Sequence, residues 1–224
     1  MTGIYSVAID GPSGSGKSTA AKMLAEKLNI TYVDTGAMYR AVGLYCVNNG
    51  VPTKNDEAVK SVLGNIDITF KTINGERRIL LNGTDVTDTI RTQDAGMAAS
   101  DVAAIPAVRE KLVDMQRNIA KDMSVVMDGR DIGTNVLKNA DVKLYIDASV
   151  EERTKRRIGE LNGKGIKTDF NTVKGEIEQR DYNDTHRKLN PLRKAEDAVE
   201  IVTDGMSAEE VLDIALDIIK RRLG

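Results

Sequence analysis

The chain has 224 residues, 41% of them hydrophobic, enough for one α/β domain with an insertion or for two small lobes with true cores. With 32 Lys and Arg against 34 Asp and Glu the net charge is -2, so no global field attracts nucleic acid or an anionic membrane, and any anion must be met by local groups of arginine. No run approaches a membrane span, Met1-Thr2-Gly3 lacks the basic start of a signal peptide, and the expectation is a cytoplasmic protein.

The first strand-like run is 5–9, and it leads into Gly11-Pro12-Ser13-Gly14-Ser15-Gly16-Lys17-Ser18, a complete phosphate loop, and then into the helix-like 19–28. A buried strand, a glycine-rich turn and a helix start point several backbone N–H groups and a positive helix end at one anion. The ligand this context predicts is a nucleoside triphosphate, with Lys17 reaching its β/γ-phosphates and the Ser18 hydroxyl on magnesium. The second strand-like run, 30–33, is followed by Asp34-Thr35-Gly36-Ala37-Met38-Tyr39-Arg40, in which Thr35 and Gly36 stand at a strand-to-helix turn and Arg40 is spaced to meet a phosphate. A helix cap with a solvated arginine is the plainer reading of that stretch. Cys46, the single cysteine, lies among Ala41, Val42, Leu44 and Val47 and is expected as a small core residue rather than a thiol nucleophile.

Between residues 66 and 86 the pattern changes. Ile66, Ile68 and Phe70 alternate with polar residues, Asn74-Gly75 and Asn82-Gly83 are hairpin signals, and a small antiparallel insertion between two helices is predicted. The strand-like run 124–127 then ends in Asp128-Gly129-Arg130-Asp131-Ile132-Gly133-Thr134. A carboxylate closing a buried strand beside a phosphate loop is placed to organise magnesium or its waters, which nominates Asp128. After the run 142–146 come Glu151-Glu152-Arg153-Thr154-Lys155-Arg156-Arg157, acids in a first helical turn and arginines behind them. The glycine-containing stretch 159–167 is the best candidate for a mobile loop, and arginines on a hinged segment suit phosphoryl transfer, where charge is stabilised after water has left. A nucleic-acid patch is disfavoured because no aromatics interleave with these arginines. In the helix-like 171–187, Arg180, Asp184 and Arg187 share one face, able to grip a phosphate and ribose hydroxyls, although such pairs also decorate ordinary solvated helices. His186 points elsewhere and is not a base. A last strand-like run is 199–202. Strands separated by helical stretches predict a doubly wound parallel five-stranded sheet, α/β in class, with ligands beyond the carboxyl ends of the strands.

Taken together, the stretches 8–19, 34–40, Ile90-Arg91-Thr92, 128–134 and Arg180-Asp181 through Asp184 and Arg187 resemble the bacterial cytidylate kinases, in order and over almost the whole chain. The 66–86 segment also resembles an insertion in the monophosphate-binding part of those enzymes, and Thr35 stands where serine is common, keeping the hydroxyl. The resemblance implies transfer of the ATP γ-phosphoryl group to CMP or dCMP with MgATP as the donor. It assigns ATP to Gly11, Pro12, Ser13, Gly14, Ser15, Gly16, Lys17, Ser18 and Thr19, and the acceptor phosphate to Thr35, Arg40 and Arg130. Ser100, Arg109 and Asp131 would read cytosine, Arg180, Asp184 and Arg187 would hold ribose and phosphate, and Arg153 and Arg157 would close over the triphosphate from a lid. Lys17, Asp128, Arg130, Arg153 and Arg157 would carry catalysis. The implied organisation is an ATP-binding core of 1–34, 89–150 and 188–224, a monophosphate-binding region of 35–88 and a helical lid of 151–187, working as a monomer on small molecules. Cytosine offers an exocyclic amine donor and a ring-nitrogen acceptor, which suit Asp131 and Arg109; uracil has the opposite polarity at both atoms. An adenylate or shikimate kinase would share 11–18 without the cytosine set, and a guanine-nucleotide switch would need an Asn-Lys-x-Asp motif that the chain does not contain.

Overall fold

The computed structural model describes residues 3–73 and 76–224, and the Asn74-Gly75 turn of the sequence reading lies outside them. In chain order the regular elements are β1 (Ser6–Asp10), α1 (Lys17–Leu28), β2 (Thr31–Asp34), α2 (Thr35–Asn48), α3 (Asp56–Val62), β3 (Ile68–Ile73), β4 (Glu76–Leu81) and β5 (Thr84–Asp85). They continue with α4 (Gln93–Val102), α5 (Pro106–Asp122), β6 (Val125–Gly129), β7 (Val142–Asp147), α6 (Val150–Gly163), α7 (Phe170–His186), β8 (Val199–Val202) and α8 (Ala208–Leu223). Two compact units result, Met1–Val33 with Arg117–Gly224 and, separately, Asp34–Gln116. No helix among the described residues is long and apolar enough to cross a membrane.

The first unit holds a five-stranded sheet in the order β2-β6-β1-β7-β8, with β1 parallel to both β6 and β7, and β7 parallel to β8. Its central strands are apolar on both faces, as a covered parallel sheet requires: Val7, Ala8, Ile9, Val125, Val126 and Met127 have no exposed surface. Ala20, Ala21, Leu24 and Ala25 of α1 and Val211, Ala215 and Ile219 of α8 join Val7, Ile9, Leu144 and Ile146 in one cluster. Each large aliphatic side chain buried there contributes about 1.5–3 kcal/mol. Helix α8 is also fixed at its ends, by a Ser207/Glu210 capping box and by Lys220, Arg221 and Arg222 in its last turn. Helices α6 and α7 share a small cluster of Leu161, Val173 and Ile177. Burial of Leu161 carries α6 through Gly159 and on to Gly163, so the connection predicted over 159–167 is confined to residues 164–169.

The second unit is built around α2. Met38, Ala41, Val42 and Cys46 share a cluster with Ile68, Ile79, Leu81 and Val86 of the antiparallel segment and with Ile90, Val102, Ile105, Val108 and Leu112 beyond it. Residues 89–116, which the resemblance groups with the ATP-binding core, therefore pack with the unit containing α2. The β3-β4-β5 sheet is part of that core and no appendage. Its ladder runs from Ile68 opposite Leu81 to Ile73 opposite Glu76. The Asn82-Gly83 turn has φ of 49° and 80°, the consecutive left-handed residues a two-residue hairpin demands, and it sets Leu81 opposite Thr84. Cys46 is fully buried and its thiol is pushed up by that burial, in keeping with a packing role.

Candidate active site

The loop from Gly11 to Gly16 leaves the carboxyl end of β1, the central strand, and enters α1 at Lys17. Gly11 cannot be replaced without movement, since an added Cβ would stand 2.0 Å from the carbonyl oxygen of Ile146. Gly16 caps α1 with φ of 87°, a conformation a β-carbon disfavours. Lys17 folds back to donate from Nζ to the Pro12 carbonyl at 3.0 Å and is only 6% exposed. Burial, aided by the like charge of Arg130 and opposed by Asp128, lowers its ammonium pKa to about 7. Ser18 Oγ donates to Asp128 Oδ2 at 2.6 Å, and Tyr32 Oη donates to Oδ1 of the same carboxylate at 2.9 Å. The acid nominated from sequence thus sits directly against the Ser18 hydroxyl, buried at the end of β6.

The register Ile9 opposite Asp128 and Asp10 opposite Gly129 brings the exit of β6 beside the start of the loop. Arg130 leaves that exit and donates from Nε to Asp184 Oδ2 at 2.7 Å and from Nη1 to its neighbour's carbonyl, Gly129 O, at 3.1 Å. Asp184 is desolvated, yet the guanidiniums of Arg130, Arg180 and Arg187 hold its carboxyl below the usual range. Asp131, 5% exposed, accepts from Arg187 Nη2 at 2.9 Å and from Asn135 Nδ2 at 3.0 Å. Beyond it the backbone winds into a one-turn π-helix, Ile132–Val136. Arg187 lies past the end of α7 with extended backbone, so the single helical face predicted for 180, 184 and 187 stops short of it. The Asn190 carbonyl fixes its guanidinium instead, accepting from Nε at 2.8 Å and Nη2 at 2.5 Å.

Arg153 is held by several partners at once. It is 3% exposed, donates from Nε to Ala148 O, from Nη1 to Ser13 O at 3.2 Å, and forms a two-pronged pair with Asp181 at 3.0 and 2.6 Å. It ties α7 to the phosphate loop. Arg157 is partly exposed and pairs with Glu160 within α6. Arg156, part of the arginine run but given no individual site role from sequence, donates to Thr203 Oγ1 and Thr203 O, and Thr203 in turn donates to Ser15 O. These residues line a cleft of about 190 Å³ beside the amino end of α1, with Gly16, Thr19, Met206 and Val211. Asp10, Tyr32, Asp181 and Thr203 all escaped the sequence reading of roles. Asp10 carried one signal, a carboxylate ending an apolar strand next to a phosphate loop.

In the second unit Asp34 caps α2, its Oδ1 accepting from Ala37 N at 2.8 Å, as the plainer reading of that turn expected. Arg40 is half-buried: it donates from Nη2 to Asp34 Oδ2 at 2.9 Å, and its Nε is buried without a hydrogen-bond partner. Thr35 is buried in the first turn of α2. Ser100 lies on α4, and Arg109, 3% exposed on α5, sits with its guanidinium carbon 5.8 Å from the centre of the Tyr39 ring.

A strand, phosphate loop and helix at the centre of a five-stranded parallel sheet, with an acid on the neighbouring strand bonded to the loop serine, define a nucleotide-binding protein of the phosphate-loop kinase class. A crystal structure of an uncharacterized protein from Eubacterium ventriosum shares the fold, with a TM-score of 0.54 at 15% identity over 97% of this chain and 99% of that one. Sequence comparison is more specific. The cytidylate kinase family profile matches residues 7–221. The cytidylate kinase of Caldicellulosiruptor saccharolyticus is 48% identical over 218 residues, 97% of this chain and 96% of the relative, and that of Clostridium botulinum strain Langeland is 49% identical over 216, 96% and 98% respectively. The chain belongs to the cytidylate kinase family.

Proposed function

We propose that the chain transfers the γ-phosphoryl group of ATP to CMP or dCMP, giving CDP or dCDP and ADP. The triphosphate would lie along the loop amides with Lys17 beneath it, and the cleft beside Gly16 and Thr19 would take its nucleoside, Arg156 facing the base and Met206 and Val211 supplying apolar wall. Ser18 and Asp128 fit magnesium, a hydroxyl and a carboxylate already in contact beside the loop, and the ion would polarise the phosphates when bound. In this reading Thr35, Arg40 and Arg130 meet the acceptor phosphate, Arg180, Asp184 and Arg187 meet ribose and phosphate, and Ser100, Arg109 and Asp131 meet the base. The acceptor is itself an anionic nucleophile, so no general base is required; positioning and charge stabilisation do the work. Arg153, bonded to the loop at Ser13 O, and Arg157, partly exposed on α6, are the residues to meet the triphosphate on closure.

The observation that carries the base assignment is Asp131. Its carboxylate can only accept hydrogen bonds, it is nearly dry, and Arg187 and Asn135 hold it one residue from Arg130. Cytosine's amine can donate to it, whereas uracil's carbonyl would present one acceptor to another. ADP release measured across the common nucleoside monophosphates tests the reading, with CMP and dCMP expected well ahead of UMP. Asp131→Asn keeps the bonds to Arg187 possible but offers an amide donor as well. An unsatisfied polar group costs about 1–3 kcal/mol, so this variant should lower the CMP/UMP ratio of kcat/KM by roughly one to two orders of magnitude. An unchanged ratio would remove Asp131 from base recognition.

A further inference from the structure

Two residues of the proposed acceptor site, Arg130 and Asp131, follow one another at the exit of β6, and both ends of that dipeptide are held by Asp10. On one side the backbone of Asp10 pairs with Gly129 in the β1-β6 ladder. On the other the Asp10 carboxylate, 3% exposed, accepts from Ile132 N at 2.7 Å and from Gly133 N at 2.8 Å. These are the first amides of the π-helical turn, groups that ordinarily need a cap. Asp131 occupies the cap position but makes no cap bond, because its oxygens are turned to Arg187 and Asn135. A carboxylate 121 residues earlier caps the turn in its place, which leaves the Asp131 carboxylate to Arg187 and Asn135.

We propose that Asp10 is a positioning residue for acceptor recognition: its cap of the 132–136 turn fixes the direction in which Arg130 and Asp131 leave β6. The proposal rests on the reading of Asp131 as the residue that meets the base. The β1-β6 ladder ends at Gly129, and beyond it the Asp131 carbonyl accepts from Asn135 N and Val136 N of the turn, so the placement of the turn sets the course of the dipeptide. Holding such a carboxylate dry is costly, and burial, together with the nearby charge of Asp131, pushes Asp10 up to about 6 against the two amide bonds and the charge of Arg130. A residue needed only to end a strand would be better apolar; two charge-assisted bonds to one turn are what the carboxylate adds.

The experiment compares Asp10→Asn, which keeps one acceptor, with Asp10→Ala, which keeps none, and uses Asp131→Asn as reference, with CMP and UMP as acceptors. Asp10→Ala should raise the KM for CMP and lower the CMP/UMP ratio of kcat/KM by about ten- to a hundredfold, because a contact displaced by about an ångström loses that much. Asp10→Asn should fall between it and wild type, and amide exchange at Ile132 and Gly133 should quicken in both. Should Asp10→Ala fail to fold, the ratio and the exchange rates of Asp10→Asn decide. Equal losses for CMP and UMP, with the ratio kept, would overturn the proposal and make Asp10 a stability residue, while a collapsed ratio in Asp131→Asn shows that the reading of Asp131 still stands. If Asp131→Asn also keeps the ratio, both fall together.

Discussion

Lys17 should take up a proton when MgATP binds, and the size of the effect follows from its surroundings in the ligand-free protein. Burial first, then the like charge of Arg130, bring its pKa from 10.5 to about 7. A triphosphate delivers anionic oxygens to a dry ammonium and restores the charged form, so the bound pKa returns toward the ordinary value. With a free value of about 7, only about a tenth of the unliganded protein carries this proton at pH 8, while nearly all of the complex does. The expected uptake is therefore about 0.9 proton at pH 8 and about 0.1 at pH 6. Phosphate oxygens, with a second pKa of about 6, are ionised in both states at pH 8 and do not obscure the count. Titration calorimetry at pH 8 in buffers of contrasting ionisation enthalpy reads the uptake as a slope, and affinity should fall by up to tenfold per pH unit above 7. Because the folded value is depressed, the same lysine makes the free protein gain stability as pH rises from about 7 toward 10.5. A slope of zero at pH 8 with binding intact would show that Lys17 is already charged and refute the burial argument.

Two other substitutions separate support of the site from chemistry. Arg153→Met strands the Ser13 and Ala148 carbonyls and Asp181, and breaking a buried pair by removing one partner costs about 3–5 kcal/mol, so unfolding in urea should show a loss toward the lower figure, Asp181 being 23% exposed. Asp181→Leu added to it should recover part of that loss; a variant as stable as wild type but crippled in turnover would show that Arg153 acts on the transferring phosphate and not as a tie between α7 and the loop. Asp10→Asn should flatten a pH dependence of stability. A carboxyl raised to about 6 favours the folded protein below about 4 and loses that contribution by about pH 6, so wild type should weaken relative to the variant by about 3 kcal/mol across that window, and parallel stability curves would contradict it.

The sequence by itself determined the local devices. The phosphate loop, the strand ends at Asp34 and Asp128, the Asn82-Gly83 hairpin turn and the helix starts are set by residues within a few positions of one another, where backbone sterics and capping decide the outcome. The five strands of the parallel sheet were legible for a related reason, as short apolar runs bounded by turn signals. Charged side chains were another matter. Arg153, Arg156 and Arg157 lie within five residues and look alike in sequence, yet one is buried against Asp181 and the loop, one is bonded to Thr203, and one reaches into solvent toward Glu160. Which arginine is dry depends on what α7 and β8 bring to that face of α6, contacts across 28 and 47 residues that no local pattern encodes. The same holds for residues 89–116, whose apolar positions suit either unit until Ile90, Val102 and Leu112 close on Met38 and Ile68. Asp10 is the sharpest case: at the end of a strand it reads as punctuation, and only the parallel pairing of β1 with β6, which burial of both strands enforces, gives its carboxylate a turn to hold.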